Sequence, residues 1–339
     1  MTRVAQAREI ARRWVIEEGV GVPGFAGAFL TGSTLWAHGD EELEPSSDVD
    51  VMVVLDTAEA PAKLGKFVHR GVLLEVSFMP AAALGTPEAV LGDYHLAGGF
   101  HVPSVLADPT GRLTEIQRAV SVDFARRRWV LARCAHAADA VRTMINGMDA
   151  AASFPDQVMP WLFGTGVTTH VLLVAGLRNP TIRRRYAAVR ELLAERDRLE
   201  CHESLLELLG CAEMGRSRVE HHLAVLEKAF DAAAAVQAES YRFASDVSDA
   251  ARAISIGGTR ELIGRGLHRE AVFWLVATYA RCLAKLSVAG AATRPHEDGL
   301  RELLADLGAE TFDDRRRRGG RVLAALPELW RTAEAIAPS

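Results

Sequence analysis

Polar and apolar residues follow two different patterns along the chain. Up to about residue 109, short apolar runs alternate with turn residues and short helical stretches. After Thr110 the chain is rich in Ala, Leu, Arg and Glu, and its apolar positions recur at helical spacing. This change predicts a small α/β domain over residues 1–109, followed by an α-helical domain over residues 110–339.

The first part has the features of a small sheet with flanking helices. Strands are predicted over Ala26–Thr31, Asp48–Leu55, Val72–Met79 and Val102–Ala107. Helices are predicted over Val4–Glu18, Ala62–His69 and Pro87–Phe100. The run Val51–Leu55 is apolar on both faces, which is typical of a buried strand.

The second part has at least five helical segments and a further pair after Pro295. The five are predicted over Leu113–Met148, Gln157–Leu177, Ile182–Leu209, Arg218–Ala251 and Thr259–Ser287. The fold class is therefore expected to be α+β, with a small mixed sheet and flanking helices followed by a C-terminal α-helical bundle.

Three acidic residues lie at or within the predicted strands. Asp48 and Asp50 are two residues apart, so on a strand both carboxylates point to the same face. Glu75 lies in the apolar strand Val72–Met79, where an unpartnered carboxylate would be costly. Oxygen ligands in such an arrangement suit a two-metal site, whose ions lie roughly 3.5–4 Å apart. We predict that the three residues share cations, and that the apolar surroundings raise the pKa of Glu75 towards that of a general base.

Gly32 and Ser33 directly follow the first predicted strand. Gly32 lets the backbone approach a phosphate closely, and Ser33 offers an N–H group and a hydroxyl to phosphate oxygens. A Gly-Ser turn, an Asp-x-Asp strand and a third strand carboxylate together point to metal-assisted nucleotidyl transfer.

These residues resemble the signature of the polymerase β-like nucleotidyltransferase superfamily. The matching residues are Thr31-Gly32-Ser33 and, after a loop, Ser47-Asp48-Val49-Asp50-Val51. The strand Leu73–Met79 and the helical second half look most like bacterial aminoglycoside (antibiotic) adenylyltransferases. The motif resemblance covers roughly residues 25–80, and the 14 residues between Ser33 and Asp48 exceed the usual spacing.

The resemblance implies a set of roles. Asp48 and Asp50 would bind Mg²⁺, Gly32 and Ser33 would hold the nucleotide phosphates, and Glu75 would be the third carboxylate. In some such enzymes this last residue is the base that acts on the acceptor hydroxyl. The expected activity is transfer of a nucleoside monophosphate, AMP from ATP, to a hydroxyl of a small molecule such as an aminoglycoside-like antibiotic, with release of pyrophosphate. Two alternatives stay open: an antitoxin-like protein adenylyltransferase and a non-catalytic nucleotide-sensing module.

Composition narrows the class of partner. The net charge is −5, so a positively charged surface for binding nucleic acid is not supported. The acidic residues Asp40, Glu41, Glu42 and Glu44 would suit a cationic acceptor.

The four cysteines are scattered, the first residues lack the apolar run of a signal peptide, and no long apolar run suggests a membrane span. A cytoplasmic location is expected.

Other candidates carry weaker signals. Cys201-His202 with His221-His222 fits no zinc spacing, and Arg216 with His221 is a weak ribonuclease-like pair. Arg315–Arg318 is expected in a solvated loop, and Arg183–Arg185 is a minor candidate for contacting triphosphate.

Two further features leave their roles open. Asp93, Tyr94 and His95 fit an ordinary amphipathic helix better than an acceptor site. Trp36 is as suited to stacking on a base as to packing in the core.

Overall fold

A computed structural model describes residues 2–339 of the chain, of which 61% are helical. The contacts divide the chain into two units. The first runs to Arg133 and includes Pro338–Ser339, and the second is Cys134–Ala337. Within residues 2–339 there are 12 α-helices and one five-stranded mixed sheet, so the fold class is α+β.

The sheet belongs to the first unit. Its strands are β1 (Phe25–Thr31), β2 (Val49–Leu55), β3 (Gly65–His69), β4 (Val72–Pro80) and β5 (Val105–Ala107). They lie in the order β3-β4-β2-β1-β5. Only the central pair, β2 and β4, is parallel, and the other neighbours are antiparallel. The strand predictions for β1, β2, β4 and β5 are confirmed to within a few residues.

The helix predicted over Ala62–His69 is wrong, because Gly65–His69 forms strand β3. A two-residue turn joins β3 to β4, with positive φ angles of 49° at Arg70 and 80° at Gly71. These angles are those of a hairpin turn whose twist matches its strands. Phe67 then packs against Trp14, with ring centroids 5.7 Å apart.

Helices cover both faces of the sheet. Helix α1 (Val4–Glu17) packs its apolar side against the face formed by alternate residues of the strands, such as Val51 and Leu74. Helices α2 (Pro87–Gly92) and α3 (Arg112–Asp123) pack against the other face. The helix predicted over Pro87–Phe100 therefore ends early, at Gly92.

The first unit continues past the predicted domain boundary at residue 109. Leu113, Ile116 and Val120 lie on one side of α3 and are buried in the core on that face of the sheet. The division instead falls inside helix α4 (Arg127–Asn146). The sequence pattern alone could not indicate this, because a sheet-covering helix and a bundle helix have the same period.

The second unit is helical. Beyond α4 its helices are α5 (Phe154–Ala175), α6 (Arg185–Ala194), α7 (Leu199–Leu209), α8 (Arg216–Ala234), α9 (Gly258–Gly264), α10 (His268–Val288), α11 (Arg294–Asp306) and α12 (Phe312–Ile336). By length and composition alone, α5 and α10 could cross a membrane, but 83% of the apolar window in each is buried. The two pack against each other and serve as core helices of this unit.

Candidate metal centre

One row of residues crosses four strands at one end of the sheet. Thr31 of β1 pairs with Asp50 of β2, Asp50 pairs with Glu75 of β4, and Glu75 pairs with Lys66 of β3. Paired residues on neighbouring strands point their side chains to the same face. The row therefore brings two carboxylates and an ammonium group together, with Asp48 joining them from the residue before β2.

The structure brings the three predicted carboxylates together. One oxygen from each of Asp48, Asp50 and Glu75 lies within 4.8 Å of the others. The side chains of Asp48 and Glu75 are only 14% and 16% exposed. Carboxylate oxygens are the ligands that Mg²⁺ and Mn²⁺ prefer, so the donor set fits a divalent cation.

Two lysines lie among these carboxylates. The ammonium of Lys66 donates to both Asp48 Oδ2 and Glu75 Oε2, and its side chain is only 7% exposed. Lys63, from the loop before β3, donates to Glu75 Oε1 at 2.6 Å. A positive group thus lies between the carboxylates, where a metal cation would compensate the same charges.

The carboxylates differ in their electrostatic surroundings. Burial alone would raise the pKa of Glu75, but Lys66 and Lys63 outweigh it and lower this pKa to about 2. The expectation of a raised pKa at Glu75 is therefore wrong. Burial, Asp48 and Glu75 instead raise the pKa of Asp50 well above its usual value, although both lysines act against this. A bound cation would favour the ionised form of Asp50.

Gly32 lies directly beside Asp50. Its φ is 70°, a left-handed conformation that favours glycine. A Cβ at this position would lie 1.8 Å from Oδ2 of Asp50. The absence of a side chain at Gly32 thus makes room for the carboxylate as well as exposing the backbone. Ser33 follows at the start of a 3₁₀ turn and is exposed.

Arg8 of α1 holds the loop that follows Ser33. Its guanidinium donates to the carbonyl of Thr34 and, at 2.7 Å, to that of Ala37. Backbone N–H groups at the start of α1 donate to the carbonyls of Gly39 and Glu41. These bonds position the long segment between Ser33 and Asp48.

Trp36 and Asp93 have structural contacts. Trp36 stacks on His101 with ring centroids 4.0 Å apart. Asp93 Oδ1 accepts from the backbone N–H groups of His95 and Leu96, and Tyr94 is buried. The stacking of Trp36 favours its packing interpretation, whereas the amphipathic helix expected for Asp93, Tyr94 and His95 is wrong, because α2 ends at Gly92.

A second group of possible metal ligands lies in the second unit. His221, His222 and Glu302 bring ligand atoms within 4.8 Å of one another. Arg218 donates to Glu302 at 2.8 Å and also to Asp306, which lies 2.7 Å from Nε2 of His222. Hydrogen bonds from His221 and Arg218 lower the pKa of Glu302. These contacts form an ion-pair network that joins α8 to α11.

The two arginine runs are also used in packing. Arg185 is buried, with its guanidinium carbon 4.0 Å from the ring centroid of Phe273. Arg315 is buried in α12 and donates to Ala309 O and Gln157 Oε1, whereas Arg316 and Arg317 are exposed. The loop predicted for Arg315–Arg318 is wrong, because the run is helical, although two of its residues are solvated.

A search against models of known protein families finds no match, and a search of curated proteins finds none with significant similarity.

The sequence reasoning missed Lys63 and Lys66. The chain has 39 basic residues, and lysine occurs only at positions 63, 66, 228 and 285. Lys63 and Lys66 lie three residues apart, and the possible turn Arg70-Gly71 separates them from the predicted strand Val72–Met79. A hairpin at this turn places Lys66 opposite Glu75, so the signal for its position lies in the Arg70-Gly71 turn.

Proposed function

We propose that the chain is a metal-dependent nucleotidyltransferase. In this proposal the first unit has the polymerase β-like arrangement, and the helical second unit is the C-terminal bundle. One observation carries it: Asp48, Asp50 and Glu75 converge at one end of the sheet, next to Gly32 and Ser33. Structural ion pairs do not require three half-buried carboxylates beside a Gly-Ser turn with an exposed serine.

The proposed roles follow from where each group lies. Asp48, Asp50 and Glu75 would hold Mg²⁺, which would neutralise phosphate charge and lower the pKa of the attacking hydroxyl. Ser33 would donate its N–H and hydroxyl to phosphate oxygens of ATP. Glu75 is ionised at neutral pH, since its pKa is about 2, so it can bind a cation or accept a proton, although so low a pKa makes it a weaker base than a carboxylate with a raised pKa.

The proposed acceptor is a small molecule that carries a hydroxyl and positive charge, such as an aminoglycoside-like antibiotic. Asp40, Glu41, Glu42 and Glu44 are exposed on the loop after Ser33. A carboxylate oxygen of Asp40 lies 3.6 Å from the guanidinium of Arg3, so one acidic residue of this loop already has a cationic partner. The amino groups of an amino sugar would bring further positive charge to the same loop.

The test is release of pyrophosphate from each of four nucleoside triphosphates with Mg²⁺ and a panel of amino sugars, amino cyclitols and other hydroxyl compounds. We expect release with ATP and at least one acceptor, and transfer of label from α-labelled ATP to that small molecule. Asp50→Asn should abolish release, since it removes a metal-binding charge. The matched control Asp56→Asn changes an exposed aspartate just beyond the other end of β2.

Other outcomes would contradict the proposal. Label on a protein would favour protein adenylylation, and nucleotide binding without pyrophosphate release would favour a sensing module. Full activity in both Asp48→Asn and Asp50→Asn would exclude these residues from the reaction.

A further inference from the structure

The pairing of strands β3, β4 and β2 places Lys66 in the carboxylate cluster. It pairs with Glu75 in the β3–β4 register, and Glu75 pairs with Asp50 in the β4–β2 register. Its side chain therefore points to the same face as the carboxylates. The two-residue Arg70-Gly71 turn fixes this register, since the length of a hairpin loop decides which residues pair. A slip of one residue would send the ammonium of Lys66 to the opposite face of the sheet.

The lysines engage specific oxygens of the cluster. Lys66 contacts Asp48 Oδ2 and Glu75 Oε2, and Lys63 contacts Glu75 Oε1. Both oxygens of Glu75 and one of Asp48 therefore have an ammonium partner. Asp50 has its Oδ2 beside Gly32, and both lysines act on this carboxylate electrostatically.

The charges of the cluster limit the number of metal ions that it can bind. Three carboxylates face two ammonium groups, and the side chain of Lys66 is less exposed than that of either residue it contacts. Two divalent ions in addition would leave a strong excess of positive charge before any phosphate arrives. One divalent ion leaves a much smaller excess of positive charge in the cluster than two ions would.

We propose that the ammonium group of Lys66 is a built-in cation of this cluster, taking the place of one of two divalent ions, so that the chain binds a single divalent ion there. Lys66 is then a positioning residue, which holds Asp48 and Glu75 in place. This inference rests on the proposed function only in taking the three carboxylates as metal ligands.

The experiment is titration of the full chain with Mn²⁺ in the presence of α,β-methylene-ATP, followed by electron paramagnetic resonance. We expect one Mn²⁺ per chain in the wild type. Lys66→Met has a side chain of similar length without charge, and it should bind two Mn²⁺. Two ions roughly 3.5–4 Å apart would give an exchange-coupled signal, which a single ion cannot produce.

Two controls separate the effect of the charge at position 66 from the effect of changing any lysine side chain. Lys66→Arg keeps a positive charge and should still bind one Mn²⁺. Lys228→Met removes an exposed lysine of α8 in the other unit and should leave the stoichiometry at one.

The wild-type arm does not depend on how well Lys66→Met folds. Two Mn²⁺ in the wild type, or none, would overturn the inference, as would one Mn²⁺ in a folded Lys66→Met protein. Pyrophosphate release by a wild type that binds two Mn²⁺ would refute the inference and leave the proposed function standing. A shift from one to two ions in a protein that never releases pyrophosphate would do the reverse.

Discussion

An added Cβ at Gly32 would lie 1.8 Å from Oδ2 of Asp50, and the backbone there has a φ of 70°. Gly32→Ala must therefore move the Asp50 carboxylate or the loop. We expect it to weaken Mn²⁺ binding by about 10–100-fold, the usual loss when the support of a ligand is disturbed.

The matched control for Gly32→Ala is Gly111→Ala. Gly111 has a φ of 76°, and a Cβ there would meet nothing within 4 Å. Both variants place alanine at a positive φ, but ψ is −164° at Gly32 and −7° at Gly111, so the control tests positive φ alone and only Gly32→Ala disturbs a carboxylate. Isothermal titration with Mn²⁺ compares them, and equal losses would show that the Asp50 contact is unimportant.

Glu75 makes a prediction about stability and pH. Its pKa is lowered to about 2 from an ordinary value of 4.5, so its ionised form stabilises the fold above pH 4.5. This contribution is lost as the pH falls from about 4.5 towards about 2. Glu75→Gln should therefore unfold at a lower temperature than the wild type at pH 7, and the difference should shrink through that range.

Thermal unfolding in the presence of a chelator measures this effect without bound metal. Asp48, Asp50, Lys63 and Lys66 face Glu75, and protonation of Asp50, whose pKa is raised, stabilises the fold as the pH falls. Because Glu75 is one of the groups that raise this pKa, that contribution is larger in the wild type than in Glu75→Gln and is not removed by comparing them. Glu17→Gln is the control, because Glu17 pairs with Arg70 on the surface and such pairs contribute about 0–1 kcal/mol. A pH-independent difference for Glu75→Gln would contradict the prediction.

In the same protein, Glu75→Gln should lower the rate of transfer by roughly 10²–10⁴, the usual contribution of a general base. Nucleotide affinity should change little, because Gln can still offer one oxygen to a cation. Comparing the two measurements separates proton transfer from ligand loss, and an equally severe loss of nucleotide binding would make Glu75 a metal ligand only.

At the scale of elements, the contact between α5 and α10 depends on a small residue. A Cβ at Gly166 of α5 would lie 2.5 Å from both Phe273 Cε2 and a guanidinium nitrogen of Arg185. Gly166→Ala should therefore lower the free energy of unfolding by about 1–3 kcal/mol through overpacking. Urea denaturation followed by circular dichroism measures this.

The control is Gly264→Ala at the end of α9, where a Cβ would meet nothing within 4 Å. Alanine favours a helix over glycine by up to about 1 kcal/mol, so this variant should be unchanged or slightly more stable. A Gly166→Ala protein as stable as the wild type would mean that α5 and α10 approach less closely than described.

Strand β3 supplies the ammonium group of Lys66 to the carboxylate cluster. The segment 62–69 has no clear alternation, since it begins with Ala-Lys-Leu-Gly, and a helix was a reasonable prediction. Its pairing with β4 is decided by the turn at Arg70-Gly71 and by packing of Phe67 on Trp14. Only that pairing brings Lys66 to Glu75.

At the scale of the whole molecule, the two groups of possible metal ligands lie in different units. Hydrogen exchange measured by mass spectrometry, with and without Mn²⁺, can tell them apart. We expect Mn²⁺ to slow exchange in β2 and β4 and to leave α8 and α11 unchanged, because the second group has a single carboxylate, Glu302, and Arg218 already pairs with it and with the neighbouring Asp306. Protection confined to α8 and α11 would assign the ion to His221, His222 and Glu302 instead.

The sequence by itself determined the coarse organisation and the acidic candidates. The change from strand period to helical period predicted an α+β chain, and the spacing of Asp48 and Asp50 put both on one face of a strand. Local rules suffice for these features because periodicity and side-chain direction depend on residues near in the chain.

Tertiary structure alone decided which groups meet and how they are charged. The β2–β4 register puts Glu75 beside Asp50, and the hairpin brings Lys66 and Lys63 to the same carboxylates. The pKa of Glu75 is lowered, against the sequence expectation, because a pKa depends on burial and on charges a few ångströms away. Those distances are set by strand pairing between segments distant in the chain, which no local pattern encodes.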